Sequence, residues 1–164
     1  MTGRVDRRAF LLFAPAMGLA MVARGAPSAA IPLATDLRAD GRDSKARKVP
    51  ILILFSLPGC PFCEIVRRSH LAPMLRDPTQ ARRAILRQID IDGDHTVIGF
   101  SGAPTTHATL ARAHDVRAAP VVAFWDGNGK PVAESLVGML LPDFYAVYLE
   151  SALDAAREGL ASRS

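Results

Sequence analysis

The chain contains two cysteines, and their position constrains its fold more than any other feature of the sequence. Cys60 and Cys63 are separated by two residues, and they follow an apolar run over residues 49–55 and a short turn over residues 56–59. An apolar run of this length that ends in a turn with Pro-Gly is typical of a buried strand. The pattern therefore predicts a strand that leads directly into a helix, with the cysteines in the first helical turn.

This position favours a reactive thiol. The first turn of a helix presents backbone N–H groups without helical partners, and these groups together with the helix dipole stabilise a negative charge. The thiolate is the nucleophile of thiol–disulfide exchange, so a lowered thiol pKa makes a cysteine reactive. We predict that Cys60, at the helix tip, attacks, and that Cys63, one turn deeper, resolves the mixed disulfide.

A cysteine pair at this spacing also has uses other than exchange chemistry. A zinc site needs about two further ligands, and the four histidines, at positions 70, 95, 107 and 114, form no pair at metal-binding spacing. A c-type haem needs a histidine after the second cysteine, where the chain has Glu64. A purely structural disulfide is a further alternative, although a disulfide that closes so short a loop would constrain the unfolded chain little. We expect no metal and no cofactor.

Residues 1–30 have the pattern of an export signal, with a basic start, an apolar stretch over residues 9–22 and small residues before a cleavage site after Ala30. The apolar stretch is shorter than the about 20 residues that span a bilayer. The pair Arg7-Arg8, followed by Ala-Phe-Leu, resembles the twin-arginine export motif; an ordinary secretory signal stays open, as does cleavage after Gly25. We predict a periplasmic protein of the cell envelope with no stable membrane span after processing.

Charge does not point to nucleic acid. The chain has 20 basic and 16 acidic residues, and residues 1–30 hold four of the arginines and one of the acids. The remainder keeps 16 basic and 15 acidic residues, a formal charge of +1. Since no basic patch is interleaved with aromatic residues, we expect no nucleic-acid partner. We predict a polar lead-in over residues 31–48 and one domain over residues 49–160.

Past the cysteines, apolar spacing predicts a helix that Pro73 kinks or ends, before a stop at Asp77-Pro78. Candidates for its buried side are Ile65, Val66, His70, Leu71, Met74 and Leu75. A strand over residues 85–91 and a loop-rich insert over residues 93–104 follow. A helix over residues 105–115 then begins at an N-cap of Thr105 or Thr106.

The last third of the chain predicts a hairpin and a helix. The strand Val121–Trp125 is followed by a turn over residues 126–129 and a partner strand over residues 131–137. Pro142 opens the final helix. Its predicted apolar stripe consists of Phe144, Val147, Tyr148, Ala152 and Ala155.

The order strand, helix, strand, helix, strand, strand, helix resembles the thioredoxin superfamily over residues 49–160. Three landmarks occur in the family's order: the Cys60–Cys63 motif, Ala119-Pro120 before a strand, where the family carries its cis-proline, and Gly138 after the hairpin. The resemblance implies an α/β thioredoxin-like fold, a central mixed sheet with flanking helices. It also implies that Pro120 lies opposite the dithiol.

The chain departs from true thioredoxins at several positions. Gly59 stands where thioredoxins carry Trp, and Leu54 stands where they bury an Asp that manages protons. Glu64 and His70 are the candidates for a substitute base. The Pro-Phe dipeptide is closer to glutaredoxin motifs, and the insert lengthens the spacing from the cysteines to Pro120. With the export signal, the chain resembles exported bacterial thioredoxins such as those of sulfur-oxidation systems; the catalytic domains of disulfide isomerases and the cytochrome-maturation thioredoxins stay open.

The resemblance implies an enzyme, an envelope thiol–disulfide oxidoreductase. Its substrates would be exported proteins that bear thiols or disulfides, and a second dithiol protein would donate or accept electrons. The redox-active residues would be Cys60 and Cys63, and the substrate-binding residues would be Pro61, Phe62, Ala119 and Pro120. The competing hypothesis is a binding or assembly module of the same fold, in which the disulfide is permanent and no exchange takes place.

Overall fold

A computed structural model describes residues 30–139 and 142–163 of the chain. The helices are α1 (Leu37–Arg47), α2 (Pro61–Ile65), α3 (Ala72–Arg76), α4 (His107–Ala113) and α5 (Tyr145–Ala161). The strands are β1 (Ile51–Ser56), β2 (Ile85–Asp90), β3 (Thr96–Ile98), β4 (Pro104–Thr106), β5 (Val121–Trp125) and β6 (Leu136–Val137). The predicted export signal lies outside the described residues except for Ala30. Within the described ranges, no helix is long and apolar enough to cross a membrane.

The central sheet has four strands in the order β2-β1-β5-β6. Strand β1 is parallel to β2, with Ile51 opposite Ile85, and antiparallel to β5, with Phe55 opposite Val121. Every residue of β1 and β5 is buried, which explains why both strands are nearly continuous apolar runs in the sequence. This mixed sheet with helices on both faces confirms the predicted thioredoxin-like α/β fold.

Each face of the sheet carries its own apolar core, because successive side chains of a strand point to opposite faces. On one face, Leu52 and Leu54 of β1 belong to a cluster with residues of the cysteine-bearing helix and of α5. On the other face, Ile51, Ile53 and Phe55 belong to a cluster with residues of α1 and α4. The sheet is therefore the middle of three layers, and the ends of its strands stay accessible.

The prediction of a polar lead-in over residues 31–48 is wrong, because most of this segment is the helix α1. Leu37 is fully buried. The Asp40 carboxylate is also buried, and it accepts two hydrogen bonds from the Arg87 guanidinium, at 2.9 and 2.5 Å. Ser44 donates a hydrogen bond of 2.6 Å to a backbone carbonyl beyond the helix end. Polar side chains face inward here because partners elsewhere in the fold satisfy them.

The helix that follows the cysteines runs without interruption through α2, a π-helical segment over Val66–Leu71, and α3. Proline has no N–H to give to the carbonyl four residues earlier, and the wider π-helical turn precedes Pro73. The helix ends at Arg76, before the predicted stop. Of the predicted buried residues, Val66, Leu71 and Met74 are buried and His70 and Leu75 are half-buried, whereas the prediction for Ile65 is wrong, since it is 42 % exposed.

The predicted loop-rich insert over residues 93–104 contains regular structure. Strands β3 and β4 form a separate antiparallel pair, with Thr96 opposite Thr106. The strands are three residues each, too short for an alternating pattern to show in the sequence. Helix α4 follows directly, and the predicted cap is confirmed at Thr106, whose side chain accepts from the backbone N–H of Thr109.

The predicted turn over residues 126–129 is confirmed, with Gly129 in the left-handed region at φ +79°. Its partner strand is shorter than the predicted residues 131–137. Pro131 bridges Trp125, pairing is then interrupted, and the ladder resumes at Leu136.

The final helix differs from its prediction in start and in orientation. Pro142–Phe144 form a 3₁₀ turn, and α5 begins at Tyr145. The residues that α5 buries are Tyr145, Leu149, Leu153 and Ala156, each next to a member of the predicted stripe. Of that predicted stripe, Ala152 is half-buried and the others are exposed, namely Phe144, Val147, Tyr148 and Ala155.

Candidate active site

The cysteines lie where β1 gives way to α2. The turn that joins β1 to α2 contains a hydrogen bond from the Cys60 N–H to the Leu57 carbonyl, at 3.3 Å. Gly59 takes a left-handed conformation, φ +72°, which glycine adopts without steric cost. Cys60 is then the N-cap of α2, and Pro61 fills the first helical position, where its missing N–H is no loss. The local sequence thus dictates both the turn and the helix start.

Cys60 and Cys63 form a disulfide with a Cα–Cα distance of 5.3 Å. The backbone N–H of Cys63 also donates to the sulfur of Cys60, at 3.1 Å. Cys60 is half-buried, whereas Cys63 has no exposed surface. A reagent from solution can therefore reach Cys60 but not Cys63. The division of roles between attacking and resolving cysteine stays a prediction.

Pro120 lies at the same end of the sheet as the disulfide. Val121, the first residue of β5, is opposite Phe55 near the end of β1, so the residue before it reaches the level of the turn that carries Cys60. The Ala119-Pro120 peptide bond is cis, as predicted. The Pro120 carbonyl accepts a hydrogen bond of 2.8 Å from the N–H of Gly138, which joins the second and third sequence landmarks.

The predicted contact residues differ in their exposure to solvent. Pro61 is exposed and Phe62 is 54 % exposed, whereas Ala119 is half-buried and Pro120 is buried. Ile65, three residues after Phe62 on the same side of the helix, adds an apolar residue that the sequence analysis assigned to the core. We call the accessible members of the predicted set, Pro61, Phe62 and Ala119, the apolar rim. Their contact with a substrate stays a prediction.

A polar cleft of about 480 Å³ opens on the Cys60 side of the disulfide. Its polar lining consists of Glu64, Arg67, Gln88 and Asp90, and the turn over residues 57–59 closes it together with Cys60 and Pro61. Of these four residues, only Glu64 was predicted to lie near the site from the sequence. The signal for the others was present: Glu64 and Arg67 are three apart on a helix, and Asp90 ends a strand that runs parallel to β1.

Of the two candidate bases, only Glu64 belongs to this cleft. Glu64 forms ion pairs with Arg67 and Arg68. His70 instead packs against the ring of Tyr145, with a centroid distance of 4.7 Å, and burial lowers the pKa of its imidazole. Leu54, at the position of the thioredoxin Asp, is fully buried in the apolar cluster below the helix. The charged groups near the disulfide are thus on the Cys60 side.

Metal ligands do not assemble in the part of the chain that the structure describes: no group of three or more His, Cys, Asp or Glu side chains could hold an ion. The buried His107 has a structural role instead. Its Nδ1 accepts from the backbone N–H of Asp90, at 3.2 Å, and its Nε2 lies 2.8 Å from the Ala34 carbonyl. These contacts fix the imidazole between the end of β2 and the segment before α1.

Comparison with known proteins gives a family and several similar folds. A family model described as a thioredoxin-like domain matches residues 37–153. No curated protein matches the chain. Among solved structures, oxidised mitochondrial thioredoxin 3 from Saccharomyces cerevisiae has 16% identity and a TM-score of 0.48, over 76% of this chain and 93% of that one. The oxidised C-terminal domain of Neisseria meningitidis DsbD has 18% identity and a TM-score of 0.47, over 73% and 98%. A DsbH oxidoreductase has 18% identity and a TM-score of 0.47, over 81% and 92%.

Proposed function

Because the chain belongs to the thioredoxin-like domain family, we propose that it is a thiol–disulfide oxidoreductase that acts on exported proteins of the cell envelope. The observation that carries the proposal is the asymmetry of its disulfide. Cys60 is half-buried at the helix start, and Cys63 is fully buried one turn later. Such a pair can take a substrate at one sulfur and release it with the other.

In the reducing direction, the Cys60 thiolate attacks one sulfur of a substrate disulfide, and the other substrate sulfur leaves as a thiolate. Cys63 then loses its proton to solvent or a base and attacks the Cys60 sulfur, which re-forms the Cys60–Cys63 disulfide and frees the second substrate thiolate. Two electrons pass from the dithiol to the substrate. A partner dithiol protein returns them, and the reverse sequence oxidises a substrate dithiol.

The local geometry supports Cys60 as the attacking residue. When the disulfide is open, the Cys63 N–H, 3.1 Å from the Cys60 sulfur, can donate to the thiolate, and hydrogen bonds to charged acceptors are stronger than those to neutral ones. We assign substrate contact to the rim of Pro61, Phe62 and Ala119. Pro120 has no N–H to compete for an incoming backbone.

Action in the envelope rests on the sequence of residues 1–30. A basic start, an apolar stretch and small residues before Ala30 form an export signal. Cell fractionation of a tagged full chain tests this part. A processed protein in the periplasmic fraction is the expected result, and an unprocessed protein in the cytoplasm would contradict it.

A redox-buffer titration tests the exchange activity. The fraction of Cys60–Cys63 disulfide is measured by thiol alkylation after equilibration with mixtures of reduced and oxidised glutathione or dithiothreitol. We expect reversible reduction at a potential between about −120 and −270 mV, the range of dithiol oxidoreductases. A disulfide that strong reductant leaves intact would overturn the proposal and support the binding module with a permanent disulfide.

A further inference from the structure

The cleft beside Cys60 contains one guanidinium and two carboxylates, and the guanidinium is held in place. Arg67 donates from Nε to Gln88 Oε1, at 2.9 Å, and from one Nη to Ser56 Oγ, at 2.9 Å, and its other Nη pairs with Glu64. Three of its five N–H donors therefore have partners among the described residues. The side chain is 22% exposed, so it is a fixed charge and not a freely moving surface arginine.

The helix directs these groups towards the sulfur. The N–H of Glu64 donates to the Cys60 carbonyl, so Glu64 lies one turn above Cys60 on the same side. Side chains of a helix lean towards its N-terminus, and the bond from Arg67 to Ser56, the residue that ends β1, shows that Arg67 reaches back to the level of the cysteine turn. Arg67 and Cys60 line the same cleft.

The balance of charge in the cleft depends on Arg67. Glu64 and Asp90 are the acidic groups of its lining, and Arg67 is its cation among the residues that the structure describes. Asp90 also accepts from the Gln88 amide, at 2.8 Å, and Gln88 holds Arg67, so the three side chains form one network. Without Arg67, a thiolate at Cys60 would form in a cleft whose described lining keeps two carboxylates and no cation, with Glu64 paired only to the exposed Arg68 outside the cleft. Like charges disfavour the charged state.

We infer that Arg67 is a positioning residue that permits the Cys60 thiolate to form, because it pairs with Glu64 and, through Gln88, holds Asp90 in place within the cleft. This inference rests on the proposed function and adds a residue to it. According to this inference, the charged side chains that affect the Cys60 thiolate lie on the exposed side of the disulfide. The buried side, where Leu54 lies, holds no acid at that position.

The test is the pH profile of Cys60 alkylation in the reduced full chain, measured with iodoacetamide and read by mass spectrometry. We expect Arg67→Gln to raise the pH midpoint by roughly 0.5–1 unit and Glu64→Gln to lower it by a smaller amount. The matched control is Arg68→Gln. Arg68 pairs with the same Glu64, but its side chain is 78% exposed, and it does not line the cleft.

Each result decides between the two proposals. If Arg67→Gln and Arg68→Gln have the same pH midpoint for Cys60 alkylation, and Cys60 is alkylated in both, the role of Arg67 is overturned. The proposed oxidoreductase function is then unaffected. If dithiothreitol fails to reduce the Cys60–Cys63 disulfide in every variant, both the oxidoreductase function and the role of Arg67 are overturned. If Arg67→Gln fails to fold, Glu64→Gln decides alone: a lowered midpoint supports charge control, and an unchanged midpoint contradicts it.

Discussion

The two ends of the central sheet are built for different purposes. At the end where β1 and β2 finish, the chain leaves a cleft, a half-buried sulfur and exposed apolar side chains. At the other end, α1 and the turn after β5 pack backbone against backbone, and a Cβ on Gly41 would lie 2.4 Å from the Gly127 carbonyl oxygen. One end keeps reactive groups accessible, and the other is closely packed.

The exposed groups and the close packing thus lie at opposite ends of the same strands. Lys45 of α1 donates to Asn128, at 2.7 Å, and Arg163 lies 3.9 Å from Asp126, so helices of both layers meet the hairpin turn. At the redox end, by contrast, Pro58 and Gly59 of the turn before Cys60 are exposed. We therefore expect substitutions at the redox end to change reactivity and substitutions at the hairpin end to change stability.

The largest effect is expected at the cysteines. Cys60→Ser should abolish disulfide exchange, since the remaining sulfur has no exposed surface. Cys63→Ser should keep the attacking thiol and accumulate a mixed disulfide with its substrate. Non-reducing electrophoresis of cell extracts checks both, and the trapped species also identifies the substrate. Trapping by Cys60→Ser but not by Cys63→Ser would reverse the assignment.

The second effect should appear at the hairpin end. Gly41→Ala places a methyl group against the Gly127 carbonyl, and the resulting backbone shift should lower the free energy of unfolding by about 2 kcal/mol, despite the higher helix propensity of alanine. Urea denaturation measures the loss. The alkylation rate of Cys60 in the folded variant should match the wild type, and a large change in that rate would show that the two ends are coupled.

A smaller effect should follow the matching change at the redox end. Gly59 has φ +72°, but a Cβ there meets no atom within 4 Å. Gly59→Ala should therefore cost only backbone strain, about 1 kcal/mol, and should shift the redox potential because the turn before Cys60 changes. Denaturation and redox titration are compared with those of Gly41→Ala. A change in stability larger than that of Gly41→Ala would contradict the separation.

The smallest effect concerns pH. Burial lowers the pKa of His114, which stacks on Trp125 near the hairpin end with a centroid distance of 4.0 Å. The unfolded chain therefore binds a proton that the folded chain does not, and stability should fall as pH drops through 6.5 towards the lowered pKa. Urea midpoints across pH 5–8 measure the slope, and His114→Phe, which keeps a stacked ring, should flatten it. An unchanged slope would show that another group causes the pH dependence of stability. His70 is one such group, since burial also lowers the pKa of its imidazole.

Asp40 contributes in the opposite sense. Burial raises its pKa above 3.8, although the hydrogen bonds from Arg87 act to lower it. Its contribution to stability is therefore present at acid pH and is lost as pH rises through the raised pKa. The contributions of Asp40 and His114 to the pH slope of stability therefore have opposite signs.

The features that could be predicted from sequence are those encoded by neighbouring residues. The apolar run before the cysteines, the capping threonine of α4 and the glycine turn after β5 each carry their cause within a few positions. The structure confirms all three. The cis peptide at Ala119-Pro120 came instead from the family resemblance, which relates it to a distant dithiol.

The features that were missed depend on distant contacts. Helix α1 has few apolar residues, and its inward polar groups find partners such as Arg87 only once the sheet has formed. Helix α5 carries two adjacent apolar stripes, and periodicity alone does not choose between Leu149 and Tyr148. The packing of α5 on the sheet buries the leucines. The spacing of Glu64 and Arg67 on one helix is visible in the sequence, but their meeting with Gln88 across the fold is not.

The proposed exchange requires an accessible Cys60 and an inaccessible Cys63, and the relative alkylation rates of the two thiols test this requirement most directly. The fully reduced wild type is treated with limiting iodoacetamide at pH 7, and the modified cysteine is assigned by mass spectrometry. We predict that Cys60 reacts faster by a factor on the order of ten or more, because it combines exposure with thiolate character. Equal rates, or faster modification of Cys63, would contradict the account.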